Sequence, residues 1–383
     1  MISVKEALNI VLSVHKSYGT EKIELADATS RTLAEDIIAD QDFPPFNRVA
    51  MDGIAIVYFD NVMPYYPIES RVNAGDVPVP IQSPGNCIEV MTGASLPDGC
   101  NCVVPFEHIE KFDDYYTINQ NPKAWQNIHK QGQDAKQGNV LLKKGNQINA
   151  GNISIIGSCG YTQVLVEKQP KIAMITTGNE LVDVAEKPLP HQIRRTNNLL
   201  INSILKRIYL TAQHFHLEDD EVSLLNALEK LSNEYDVIIS SGAVSAGKKD
   251  YIPAVLDKIG ATTHFHKVNQ KPGKPFLFAS INRATYFGLP GNPMSTMVCA
   301  LRYLVPFLGG SFNAGSYELN HDIEPFSKTR FIPVVRNNNQ ISVLKTNGSG
   351  DLVSVKDAFG FIEIADNQTL NKGELVPVIS LGS

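Results

Sequence analysis

The sequence predicts a multidomain chain of α/β plus β class, and three observations carry that prediction. The first is a β-branched run, Asp236-Val237-Ile238-Ile239-Ser240-Ser241, followed by a small-residue loop and a helix pattern. Continuous runs of this kind are buried on both faces of a parallel sheet. The second is a turn-rich stretch in which Gly75, Pro78, Pro80, Pro84, Gly85, Pro97 and Gly99 punctuate short strand-like segments. The third is length, since 383 residues exceed the roughly 100–200 that one domain usually holds.

Along the chain, Ser3 to Lys16 reads as a helix, Asp36 to Asp40 as extended, and Phe43-Pro44-Pro45 as a break. Residues 43–127 form an inserted β domain. Residues 128–168 hold Gly132, Gly138, Gly145 and an apolar helix over Ile153–Gly157. Residues 169–310 are the α/β domain, with a strand at Lys171–Ile175 and a helix through Leu199, Leu200, Ile201, Ile204, Leu205 and Ile208. The tail, 311–383, is a small β domain with strands at Phe331–Val335 and Leu375–Ile379.

Small-residue loops adjoin the predicted strands of the α/β domain. Gly242 to Lys249 satisfies Gly-x-x-x-x-Gly-Lys through Gly242, Gly247 and Lys248, but Lys249 stands where a Walker A loop needs a magnesium-binding hydroxyl. A P-loop NTPase is therefore rejected, while a strand, a loop and a helix N-terminus still suit a phosphate. Asp250 at the loop's mouth reads, taken alone, as a helix cap. Lys267, Lys271 and Lys274 place three cations in eight residues around a Pro-Gly turn, which suits a dianion. Pro290-Gly291-Asn292-Pro293 holds a rigid turn between two prolines. Glu180 follows another buried strand, and Glu218-Asp219-Asp220-Glu221 precedes a helix, where acidic residues favour the dipole. Ligands of open α/β sheets bind outside the carboxyl ends of the strands, so these loops point to one anion site there. A carboxylate among them suits a hard metal such as Mg²⁺.

Composition narrows the alternatives. A net charge of −6 and 43% hydrophobic residues describe an ordinary globular chain without general affinity for nucleic acid or membrane surfaces. No stretch reaches the ~20 apolar residues of a membrane span. The five cysteines lack metal-ligand spacing and read as buried free thiols. The N-terminus carries Glu6 in a helical pattern, unlike a signal peptide, so a cytoplasmic protein is expected.

Six short motifs in order resemble the MoeA-type molybdopterin molybdenumtransferases, which include the gephyrin E domain. They are Pro44 to Gly53, Met91 to Pro97, Thr177-Gly178-Asn179-Glu180-Leu181, the Ser240 to Tyr251 loop, Lys271 to Pro275 and Leu289 to Pro293. The resemblance implies a MogA-like molybdopterin-binding α/β domain, an inserted β domain, a small C-terminal β domain, and an elongated N-terminal domain built from residues 1–42 plus 128–168. It also implies an enzyme that takes adenylylated molybdopterin and molybdate, cleaves the adenylate and leaves molybdenum on the dithiolene. By the family pattern Glu180, Asp219 and Asp250 hold a divalent ion, Mg²⁺ or Zn²⁺, and Asp52 and Thr92 approach from another domain as further catalytic residues. Gly242, Ser245, Gly247, Lys267, Lys271, Lys274, Pro290, Gly291, Asn292, Pro293, Arg195 and Asn197 are the implied substrate-binding set. The implied partners are a second copy of the chain in a homodimer, the molybdopterin adenylyltransferase and downstream cofactor-handling proteins.

Departures from the pattern set the alternative reading. Asn179 replaces an Asp, Arg195 begins what is usually Asp-Ser-Asn, Ala243 replaces a glycine and Val49 a serine. Arg195 reverses a charge, and at ~4 Å and an effective dielectric near ~20 one unit-charge interaction is about 4 kcal/mol. The alternative is a catalytically impaired paralogue that binds molybdopterin as a scaffold.

Overall fold

The computed structural model describes residues 1–242 and 251–382, so Ala243, Ser245, Gly247 and Asp250 lie outside the described residues. The chain divides into two compact units, Met1–Tyr18 with Lys168–Ser383, and Gly19–Glu167.

In the Gly19–Glu167 unit a six-stranded sheet runs in the order Cys102–Pro105, Gly53–Ile56, Cys87–Val90, Tyr66–Val72, Tyr115–Ile118, Ile109–Lys111. Glu89, 7% exposed, is held on it by Lys111 at 2.8 Å, Arg71 at 3.2 Å and the Tyr116 hydroxyl at 2.6 Å. A buried carboxylate needs that many partners to stay ionised. The rest of the unit packs the helix Ala150–Ser158 through Ile156 onto Leu33, Ile37, Val164 and Val166. All five cysteines of the chain are buried free thiols, as composition predicts.

In the other unit, Ala212–Leu217, Ile172–Thr177, Val237–Ser241 and Ala284–Leu289 are parallel neighbours, and Leu277–Ile281 and Thr262–Phe265 complete the sheet antiparallel. The sheet is thus mixed rather than wholly parallel. Alternate residues feed two cores, Ile172, Met174, Val237, Ile239 and Phe287 on one face, and Ala173, Ile175, Ile238 and Tyr286 on the other. Helices Asn197–Lys206 and Pro293–Cys299 cover the first face, while Glu221–Glu234 and Ile252–Lys258 cover the second.

The N-terminal helix, Val4–Ser13, corrects one expectation. Its apolar stripe of Val4, Ala7 and Val11 packs into the core around Phe307 of this unit, not with residues 128–168. An amphipathic stripe dictates that a helix is covered but not by which partner.

The strands expected at 331–335 and 375–379 are present within Thr329–Asn337 and Leu375–Ser380. They belong to a second six-stranded sheet, whose edge strand is Gln270–Lys271 from the lysine loop. That pairing fastens the loop to the C-terminal β structure. Among the described residues no helix is long and apolar enough to cross a membrane.

Candidate active site

Four parallel strands end at Thr177, Leu217, Ser241 and Leu289, so the segments that follow them share one edge. The lysine loop reaches the same edge from the opposite sense, because Leu277–Ile281 is antiparallel to its neighbour, with Leu277 opposite Gly288. Glu180, Asp219, Gly242, Lys271, Lys274 and Pro290 are thereby gathered by topology alone.

Asn197 ties the segments together. Its Nδ2 donates to Ser241 Oγ and to the Gly291 carbonyl, each at 2.7 Å. The Ser241 hydroxyl donates to the Pro290 carbonyl at 3.2 Å, and Thr296 Oγ1 donates to the same carbonyl at 2.6 Å. Asn292 extends the chain of bonds to Ser349 Oγ at 2.7 Å. The Asn197 Oδ1 is buried and has no hydrogen-bond partner among the described residues.

A cleft of about 680 Å³ lies between the lysine loop, the Pro290 turn and the C-terminal sheet. Lys271, Lys274, Lys328 and Arg330 line it, and the described residues lining it include no Asp or Glu. Lys271 Nζ and the Arg330 guanidinium each lie 5.5 Å from the Phe326 ring centre, a favourable cation–π distance. Ser349 lines the same cleft from a turn organised by Asp351, whose carboxyl is lowered to about 2 by hydrogen bonds from Ser354 and Asn347. The cleft takes in Pro290, Gly291 and Asn292, while Lys267 and Pro293 are not among its lining residues.

Lys328, Arg330 and Ser349 were not anticipated. Ser349 has a signal in the small-residue loop Asn347-Gly348-Ser349-Gly350, which is similar to the loops of the α/β domain, while Lys328 and Arg330 have none.

The acidic positions separate on inspection. Asp220 is the helix cap, accepting from the Val222 and Ser223 amides, which leaves the half-buried Asp219 outside that role. Glu180 is exposed, and its carboxylate folds over Gly178, where any Cβ would come within 2.7 Å of Glu180 Oε1. Gly178 adopts φ +133°, which is what requires glycine, since the exposed Glu180 side chain could swing away from a Cβ.

Arg195, whose charge raised the question of function, is met by a carboxylate. Its Nη2 lies 3.1 Å from Asp183 Oδ2, and its side chain is 13% exposed. Beside it, Thr176 Oγ1 is 2.9 Å from His214 Nε2 and 3.1 Å from His216 Nδ1, a cluster absent from the sequence reading. Partial burial of His214, lost hydration around the more exposed His216, and then the Arg195 charge hold both imidazoles below their ordinary value near 6.5. The unfolded chain therefore binds protons that the folded one refuses between the lowered values and about 6.5, so stability falls as pH drops through that window. Urea unfolding from about pH 7 to about pH 5 checks this, and replacing both histidines with glutamine flattens the fall.

In the Gly19–Glu167 unit, Asp52 and Thr92 are bonded to each other. Asp52 Oδ1 accepts from the Thr92 amide at 2.6 Å and from its hydroxyl at 2.7 Å, and these bonds hold the carboxyl below its usual range. Gly53 next to it is obligatory, because a Cβ there would sit 2.0 Å from the Val104 carbonyl oxygen.

Comparison with known proteins shows the family. Residues 2–160 match the family model described as MoeA N-terminal region (domain I and II), and residues 173–310 match one described as probable molybdopterin binding domain. A molybdopterin molybdenumtransferase of Synechocystis sp. is 34% identical over 394 residues, covering 98% of this chain and 99% of the relative. The chain belongs to the MoeA family of molybdopterin molybdenumtransferases. Another family member, from Staphylococcus epidermidis, is 33% identical over 80% of this chain and 74% of its own. The crystal structure of a molybdopterin biosynthesis MoeA protein from Pyrococcus horikoshii superposes with a TM-score of 0.85 at 28% identity, covering 99% of both chains. Membership makes this MoeA-family chain a transferase of molybdenum cofactor biosynthesis, and the multidomain α/β plus β class stands.

Proposed function

We propose that the protein inserts molybdate into adenylylated molybdopterin, with cleavage of the adenylate and release of AMP. One observation carries the reading: the cleft beside the Pro290 turn presents Lys271, Lys274, Lys328 and Arg330, with no carboxylate among the described residues that line it. Four cations lining one cleft suit the oxyanions of molybdate and of a phosphate-bearing substrate. The Gly291 and Asn292 segment lines the same cleft and, with Gly242 and the Ser245 and Gly247 loop, supplies polar groups for the phosphates. Water then attacks the phosphoanhydride, its bond to the adenylate breaks, and AMP leaves, so no protein nucleophile is needed.

The donor set fits a divalent ion in part. Glu180, Asp219 and Asn197 Oδ1, which has no partner among the described residues, are oxygen donors at the same sheet edge, which suits Mg²⁺ better than Zn²⁺. Among the described residues no group of three His, Cys, Asp or Glu side chains suits a metal ion. Glu180, Asp219 and Asp250 would hold the ion together with substrate oxygens. When bound, it would neutralise charge on the departing phosphate. Asp52 and Thr92 belong to the other compact unit, and in this reading a homodimer brings them to the site. Handover by the adenylyltransferase and delivery to cofactor-handling proteins, in the cytoplasm, complete the proposal.

The scaffold alternative rests on Asn179, Arg195 and Ala243, and Arg195 enters it as an unmatched cation. Pairing of Arg195 with Asp183 removes the charge argument and leaves Asn179 and Ala243 as its grounds.

Incubation of the protein with adenylylated molybdopterin, molybdate and Mg²⁺ tests the reading. AMP release and reconstitution of a molybdenum-free apo-enzyme are both expected, and Glu180→Ala loses about 10²-fold in each. Tight binding of the adenylate with neither signal would instead establish the scaffold.

A further inference from the structure

Arg195 and Asp183 flank a small ribbon that begins immediately after Glu180. Leu181–Val182 and Ile193–Arg194 run parallel, with Leu181 opposite Ile193 and Val182 opposite Arg194. The Ile193 amide donates to the Glu180 carbonyl at 2.8 Å, the Arg195 amide to the Val182 carbonyl at 2.9 Å, and Arg194 Nε to the Val184 carbonyl at 3.0 Å. A two-stranded ribbon this short has little stability of its own, and parallel pairing is weaker per residue than antiparallel. A side-chain link across its open end therefore matters more than a surface ion pair elsewhere. Arg195 supplies that link to Asp183 from a sheltered position, its side chain 13% exposed against 51% for Asp183, so that water screens the pair from the Asp183 side only. On its other side Arg195 is followed by Thr196 and by the helix Asn197–Lys206, whose first residue ties Ser241 to Gly291.

We infer that the Arg195–Asp183 pair is a positioning clamp that fixes the Glu180 backbone relative to Asn197, so that Arg195 acts through the ribbon and not by touching substrate. The inference rests on the functional reading above only in assigning Glu180 and Asn197 to the reacting site.

The full-length protein tests it in four forms: wild type, Arg195→Ala, Asp183→Ala, and the exchanged pair Arg195→Asp with Asp183→Arg. Each single change is expected to speed amide hydrogen exchange in the 178–195 segment about tenfold without substrate. Each also raises the Mg²⁺ concentration that half-saturates AMP release about tenfold, with kcat moving less. The exchanged pair recovers both quantities to within about threefold, because the charges are restored in reversed order. Should a single variant fail to fold, Arg195→Lys replaces it, and a smaller change of the same sign supports the clamp. Single variants with unchanged amide exchange would overturn it. So would an exchanged pair as impaired as the singles, which would mean that Arg195 meets the ligand directly. If the wild type released no AMP, the functional reading would fail while the exchange measurement still decided the clamp.

Discussion

Arg330→Ala should lower kcat/KM for molybdate-dependent AMP release by about 10²–10³-fold, or about 3–4 kcal/mol, the scale of losing one preorganised donor to a developing oxyanion. The stability of the variant should be unchanged or slightly higher. Arg330 pairs in register with Lys271 across neighbouring parallel strands, and both line the cleft. Like charges on adjacent strands repel, and no lining carboxylate among the described residues offsets them. A fold that keeps such a pair bears a cost that a bound anion removes. Activity and thermal stability therefore move in opposite directions, and a drop in both would mean that Arg330 serves the fold.

Asn197→Asp should cost about 2–3 kcal/mol of folding stability and about 10–100-fold in AMP release. An ionised carboxylate has no donor, so the bonds to Ser241 Oγ and the Gly291 carbonyl are both lost. The new charge would also face the Gly291 carbonyl. Ser241 and Thr296 still donate to the Pro290 carbonyl, so the turn is loosened and not released. Urea denaturation beside initial rates separates the two losses, and an Asn197→Asp protein of wild-type stability would remove Asn197 from the role of hub.

The strand runs at 171–175 and 236–241 and the loops after them were legible because local patterns encode them: β-branched residues for buried strands, and Gly, Pro and Asn where the chain must turn. That sufficed to place Glu180, Gly242 and Pro290 on one edge. The cation wall was only half legible. Lys271 and Lys274 announce themselves by density, whereas Arg330 sits in an ordinary strand sequence, with Lys328 just before it, and enters the cleft through a pairing with Gln270–Lys271 some sixty residues earlier. Arg195 shows the converse. Its charge was visible, but its meaning depended on Asp183, twelve residues away, and the ribbon that joins them has no periodic signature. In the acidic run 218–221 the sequence does not distinguish the cap from the candidate ligand. Hydrogen bonds to Asp220 make that distinction.

The central claim is that the cleft lined by Lys271, Lys274, Lys328 and Arg330 takes the molybdate. Anomalous diffraction at the molybdenum edge from crystals of this protein soaked in molybdate tests it most directly. The account predicts one strong peak within contact distance of Lys271 and Arg330, absent from crystals of the Arg330→Ala protein. A molybdenum peak elsewhere, with the cleft empty, would contradict it.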